Sequence, residues 1–271
     1  MFINPNGKIT TQQGRGDLLN QLGGKQNLII TDYLESGLTL QQIIDLFGFS
    51  NAWSSENLTI AGTTTTANDY KGVHNLANPG ATNQPTFNPT SANFGGKPSL
   101  TFNGIDDYLI KNTANFNNVN SGFQIDIFKS VQPRALCSSD NATNGRYING
   151  FLNAGKVGFE FVIITNRITA NTLVFNSNVG NVLAWSSTGT DYVISLNGTS
   201  NSGADLNIIN GANNGGWFND VLLRDNISIG ARISSAPIYF QLEWVFSGVG
   251  TNTSAADLNA LTLALKKYYS L

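Results

Sequence analysis

From Ile238 to Phe246 every second residue is large and apolar. Ile238, Phe240, Leu242, Trp244 and Phe246 point one way, while Tyr239, Gln241 and Glu243 point the other. A period of two belongs to a β-strand with one buried face, because successive side chains leave the pleat on opposite sides. The signature recurs at Phe123, Ile125 and Ile127, alternating with Gln124 and Asp126. It recurs at Val157, Phe159, Phe161 and Ile163 with Glu160 opposite, at Tyr192, Ile194 and Leu196, and at Ile227 and Ile229 before Gly230. Many half-buried strands separated by polar turns predict an all-β chain, folded as an antiparallel sandwich or barrel.

Two segments depart from this period. In LQQIIDLFGF, Thr39 is placed to cap a short helix that carries Leu40, Ile43, Ile44 and Phe47 on one face and stops at Gly48. So short an amphipathic helix cannot bury its own stripe. The stripe must dock on the chain's own domain or serve as an assembly arm against a partner. At the other end, Ser254 and Asp257 make a capping-box-like pair ahead of Leu258, Leu261, Leu265 and Tyr268, with Lys266 and Lys267 in the last turn. The division that follows is an N-terminal arm over residues 1–50, for docking or assembly, and a sandwich domain over 51–271.

Composition narrows the partners. The 271 residues include only 12% charged side chains at a net charge of -2, and their linear order shows no basic patch, which argues against nucleic acid. No apolar run reaches membrane-spanning length, and the first residues lack the apolar core of a signal peptide. Cys137 stands alone, so no intramolecular disulfide forms and the core must supply the stability. The chain holds 37 Asn and only four Glu, a bias that suits strands joined by turns and is common in extracellular fibres and virion proteins.

Within QPTFNPTSANFGGKPSLTFNGIDDYLIKN (Gln84 to Asn112), Gly95, Gly96, Lys97 and Pro98 lead into Leu100-Thr101-Phe102. Asn103-Gly104 follows as a hairpin signal, and Asp106 to Ile110 returns. The string resembles the entry hairpin of LamG-like, or concanavalin A-like, lectin domains. Three later segments resemble the same family: DYVISLNGT (Asp191 to Thr199), NISIGAR (Asn226 to Arg232), and IYFQLEWVFSGV followed by the closing helix. Their order and spacing agree over roughly residues 69 to 271, leaving the first 50 outside. The resemblance implies a jelly-roll β-sandwich, of a kind found in phage structural proteins and bacterial surface proteins. It also implies a binding or structural role rather than chemistry.

Candidate sites are correspondingly few. Glycoside hydrolysis needs two carboxylates flanking the bond. The glucanases of this fold carry them as Glu-x-Asp-x-x-Glu, which is absent here; Glu160 and Glu243 each stand alone and read as solvated sheet residues. His74 and Cys137 are the single members of their types, so no nucleophilic dyad or zinc spacing is legible, and catalytic residues are expected to be none. No cofactor is required, although Ca²⁺ would suit Asp106 and Asp107; against this, Asx residues commonly satisfy turn amides. GANNGGWFNDV mixes aromatics and amides, and Asn213, Asn214, Trp217, Phe218, Asn219 and Asp220 are the carbohydrate-binding candidates. The alternative is that this loop folds back onto the core. Tyr147 and Trp185 are secondary candidates, with core packing the competing role.

Taken together, the residues favour a non-enzymatic, virion-associated structural protein such as a capsid decoration, head fibre or tail or baseplate component. Its partners would be other virion or surface proteins, further copies of itself, and host-surface glycans. The alternative is a carbohydrate-binding adhesion module at the cell surface or outside the cell, and a glycoside hydrolase of the same fold ranks third.

Overall fold

The computed structural model describes residues 37–113, 121–143, 145–162, 166–216, 223–250 and 255–271. The chain enters through helix α1 (Leu40–Leu46) and a long strand β1 (Phe49–Ala61), followed by β2 (Thr64–Asp69) and β3 (Leu76–Ala77). Next come β4 (Thr86–Asn88), β5 (Ser99–Asn103), β6 (Leu109–Asn112), β7 (Gly122–Ser130) and β8 (Leu136–Ser139). The middle of the chain holds β9 (Tyr147–Asn153), β10 (Lys156–Val162), β11 (Asn166–Val174), β12 (Asn181–Ser187) and β13 (Tyr192–Leu196). It closes with β14 (Thr199–Ser202), β15 (Leu206–Asn210), β16 (Asn226–Ile229), β17 (Ala231–Arg232), β18 (Ile238–Tyr239), β19 (Gln241–Gly250) and helix α2 (Ala255–Tyr268).

The pairings resolve into two antiparallel sheets. The first runs β14–β13–β12–β7–β19, and β19 is then flanked by β5 along its first half and by β1 along its second. The second runs β2–β3–β6–β16–β8–β9–β10–β11–β15. The far half of β1 joins this second sheet beside β2, so β1 passes from one sheet to the other. Between the sheets lies a core that includes Trp53, Phe102, Phe128, Phe159, Trp185 and Trp244. The all-β sandwich with a C-terminal helix is therefore as expected.

What the pattern alone does not show is that the first sheet is buried on both sides. Phe123, Ile125, Ile127, Val182, Val193 and Phe246 form a second apolar layer with Leu258, Leu261 and Leu265 of α2 and with α1. Gln124 and Asp126, read as the solvent face of their strand, point instead into the sandwich interior and are buried. The long alternation of β19 is interrupted too. A register shift pairs Trp244 with Phe128 but Phe246 with Ile127, the mark of a β-bulge at Val245. Leu242 and Trp244 thus face the other sheet, whereas Phe246 faces the helices. Ile238 falls outside this strand, in the small β17–β18 pair, and is exposed.

The Asn103-Gly104 signal also works differently from a hairpin. β5 pairs with β4 and β19, and β6 with β3 and β16, so this turn carries the chain from one sheet to the other. Asn197-Gly198, both at positive φ, does make a true hairpin, with Leu196 opposite Thr199.

Thr39 caps α1 as its sequence predicts. Its hydroxyl accepts the Gln42 N–H, and the Gln42 side chain accepts the Thr39 N–H in return. Leu40, Ile43 and Ile44 are buried and Phe47 half-buried in the layer over the first sheet. This packing is the docking on the chain's own domain that the sequence left open beside an assembly role. The chain's own sheet and α2 occupy the stripe, because a sheet face as apolar as this one needs a cover and α1 supplies part of it.

Candidate functional site: the polar face of the second sheet

Helices cover the outer face of the first sheet. The outer face of the second is polar and largely buried, and register shows what lines it. Glu160 lies opposite Asn149 on one neighbour and Arg167 on the other. Ser139 pairs with Tyr147 and with Asn226, which puts these residues on the same face. Their strand neighbours Ile148, Phe159 and Ile168 fill the core.

Glu160 is the hub. Both Nε and Nη2 of Arg167 donate to its Oε2, at 2.9 and 2.6 Å, while Nδ2 of Asn149 donates to Oε1 at 3.1 Å. The Arg167 guanidinium also sits 5.2 Å from the centre of the Phe151 ring. Glu160 is therefore buried and ion-paired, not the solvated residue its polar strand position suggests. The Oδ1 of Asn149 is enclosed and accepts no hydrogen bond among the described residues.

Two further arginines reach this cluster from the loops at its edge. The guanidinium of Arg232 stacks 4.3 Å from the centre of the Tyr147 ring, a cation–π contact. Arg134 lies 5.2 Å from the Phe240 ring and close enough to Glu160, Cys137, Arg232 and Tyr147 to interact electrostatically with each. Burial pushes the Arg134 pKa down. The same cause lowers Arg224 to about 9, beneath the face, where Nη1 donates to Ser138 Oγ at 2.8 Å. Arg146, one residue before β9, pairs with Asp140 at 3.1 Å.

The position of Arg134 is built from the core outward. Asp126 accepts the Leu136 N–H, and the Gln124 amide donates to the Leu136 carbonyl, so two residues of the first sheet grip the start of β8. On the second sheet, Pro133 presses its carbonyl against Gly150, where a Cβ would come within 1.8 Å of it. Only glycine permits that approach.

The residues singled out from the sequence fare unequally. Asn213 and Asn214 are spent on the protein itself. Asn213 Oδ1 accepts the Tyr192 N–H at 2.8 Å and its amide donates to Asp191, while Asn214 Oδ1 accepts the Tyr192 hydroxyl at 3.2 Å. Trp217, Phe218, Asn219 and Asp220 lie outside the described residues, as does Ile163. Trp185 is wholly buried in the core, while Tyr147 is half-buried on the arginine face.

Asp106 and Asp107 serve their turn. Asn103 Oδ1 accepts the N–H groups of Ile105, Asp106 and Asp107, and the two carboxylates accept from the Asn103 side chain and backbone in return. Burial pushes the Asp107 pKa up. Among the described residues no group of three or more His, Cys, Asp or Glu is arranged to hold a metal.

The arginine face itself was missed. Of six arginines, five belong to this sheet or the loops beside it, yet they are spread from Arg134 to Arg232. The available signal was their concentration in that stretch, when Arg15 is the only one outside it.

No family model matches the chain, and no curated protein matches it. Among solved structures, a Trypanosoma rangeli sialidase in complex with the inhibitor DANA aligns over 79% of this chain and 32% of its own, at 10% identity and a TM-score of 0.51. The match thus spans about a third of that sialidase. Domain 4 of AbnA, a GH43 arabinanase from Geobacillus stearothermophilus in complex with arabinotriose, aligns over 79% of this chain and 98% of its own at 10% identity, with a TM-score of 0.48. The CBM40 of the Ruminococcus gnavus IT-sialidase, bound to α2,3-sialyllactose, aligns over 60% and 96% at 15% identity and a TM-score of 0.42. At such identities the likeness is one of fold alone, a β-sandwich.

Proposed function

We propose that this chain is a non-enzymatic glycan-binding module whose ligand site is the outer face of the second sheet. The observation that carries the reading is the asymmetry of the sandwich. One outer face is closed by two helices, while the other carries the half-buried Tyr147 ring and the half-buried side chains of Arg134 and Arg232. Sugars are bound by aromatic stacking together with a few fixed polar groups, and this face supplies both. The fold shared with the sialidase, and the LamG-like segments, are consistent with a module of this kind.

A catalytic role has less behind it. Glu160 is committed to Arg167 and Asn149, and Glu243, on the other sheet, accepts from Asn93 and Ser99. Burial pushes the Cys137 thiol up to about 12, far from a nucleophilic thiolate. The narrower assignment, a virion component that meets host glycans through this face, takes its support from the Asn-rich, weakly charged composition and from the LamG-like resemblance. Its partners would then be neighbouring virion or surface proteins and further copies of the chain.

A glycan array and a whole-cell binding assay on the purified protein test this reading. Specific binding that survives EDTA and drops at least tenfold in Tyr147→Ala is the expected outcome. Binding that survives Tyr147→Ala but is lost in Trp217→Ala would move the site to the 211–221 loop. Absence of binding by a folded protein would overturn the glycan reading and leave assembly as the working function.

A further inference from the structure

Arg134 and Arg232 stand out on this face because neither forms an ion pair among the described residues. Arg167 has Glu160, and Arg146 has Asp140. Neither Arg134 nor Arg232 has a carboxylate within ion-pair distance among the described residues, and the Nε of each is enclosed without a hydrogen-bond partner. Arg232 also lies near enough to Arg134 to raise the cost of charging it. Glu160, which interacts electrostatically with Arg134, already accepts two hydrogen bonds from Arg167 and one from Asn149.

Half-burying two like charges without a counter-ion is unfavourable, and proteins tolerate such arrangements mainly where a ligand completes them. Guanidinium has a planar fork of donors that matches a carboxylate in two-point contact, which an ammonium cannot offer. The chain as a whole is acidic, with 17 Asp and Glu against 15 Lys and Arg, so this local excess of positive charge runs against its own average. The supports are also rigid. Arg232 is held on the Tyr147 ring, and Arg134 by the grip of Asp126 on β8 and the close packing of Pro133 on Gly150.

Building on the glycan-binding reading above, we infer that the ligand is an acidic saccharide whose ring carboxylate is held between the guanidiniums of Arg134 and Arg232. The half-buried Tyr147 ring beneath Arg232 is then placed to meet the sugar's apolar edge.

The test uses an array carrying neutral glycans, glycans ending in uronic or nonulosonic acids, sulfated glycans, and the same carboxylated glycans after methyl esterification. Esterification removes the charge while keeping the ring, so it isolates the carboxylate. The expected result is binding to one or more carboxylated glycans that falls at least tenfold on esterification. It should fall similarly in Arg232→Gln and Arg134→Gln, and not in the surface variant Lys266→Gln. Thermal unfolding of each variant, with Arg232→Lys added to keep charge but lose the fork, separates loss of the site from loss of fold. Binding restricted to neutral or sulfated glycans, or unchanged by esterification, would overturn this inference while leaving the glycan-binding reading standing. Failure to bind every glycan on the array would overturn both.

Discussion

Asp126 shows how much a single residue can do in this sandwich. It has no solvent exposure, and Ser247, Gln124 and the Leu136 N–H all donate to it. Ser247 in turn accepts from the Trp244 indole at 2.8 Å, so a chain of polar contacts runs through the apolar interior. Those donors favour the carboxylate, yet burial outweighs them and lifts its pKa from 3.8 to about 7. The folded protein therefore keeps a proton there that the unfolded chain has already released between about pH 4 and pH 7. This group's contribution is fully present at low pH and is lost as the pH rises through that window, by up to about 1.4 kcal/mol per unit. Denaturant melts at pH 4.5 and 7.5 should show it, and Asp126→Asn should remove much of the difference between the two.

Gly150 is the companion case. A methyl group there meets the Pro133 carbonyl, and the loop carrying Arg134 would have to move. Gly150→Ala should cost about 1–3 kcal/mol, the usual penalty for overpacking, and should weaken glycan binding beyond what its stability change explains. A melting curve and a titration on one sample check both. Neither residue's role follows from its place in the sequence. Asp126 sits where strand alternation calls for a solvent-facing residue, and Gly150 sits inside a strand where glycine ordinarily weakens pairing.

At the scale of elements, α1 and the first half of β1 belong to the folded body. Leu40, Ile43, Ile44 and Phe49 are buried there, and Phe49 meets Phe123 and Phe246 edge-on at 4.9 and 5.7 Å between ring centres. A chain beginning at Asn51 loses all four and uncovers part of the first sheet. Burying each such side chain is worth about 1.5–3 kcal/mol, so removing four rivals the net stability of a domain. That truncation should bind a dye such as ANS and lose cooperative unfolding; a cooperative melt near that of the full chain would show the helix to be dispensable. The cap and apolar face of α1 were legible in the order of Thr39, Gln42, Ile43 and Ile44, since these are local. Whether its stripe met its own sheet or a partner's was not, because both surfaces look alike to seven residues of helix.

Across the whole molecule, the period-two pattern, the two amphipathic helices and the polar turns together were enough to determine an all-β sandwich with helical additions. Each of these is a short-range preference, expressed by residues a few positions apart. Which face of each strand meets what was decided only by the tertiary structure. The bulge at Val245 turns Phe246 from one layer to the other, and the helices bury a face that alternation alone leaves open. The Asn103 turn, local in appearance, joins two sheets rather than two neighbouring strands. The arginine face depends on the order β16–β8–β9–β10–β11, which gathers Arg134, Arg167 and Arg232 from nearly a hundred residues of chain. Strand order follows from how two whole sheets bury their common core, and no local stretch of sequence encodes it.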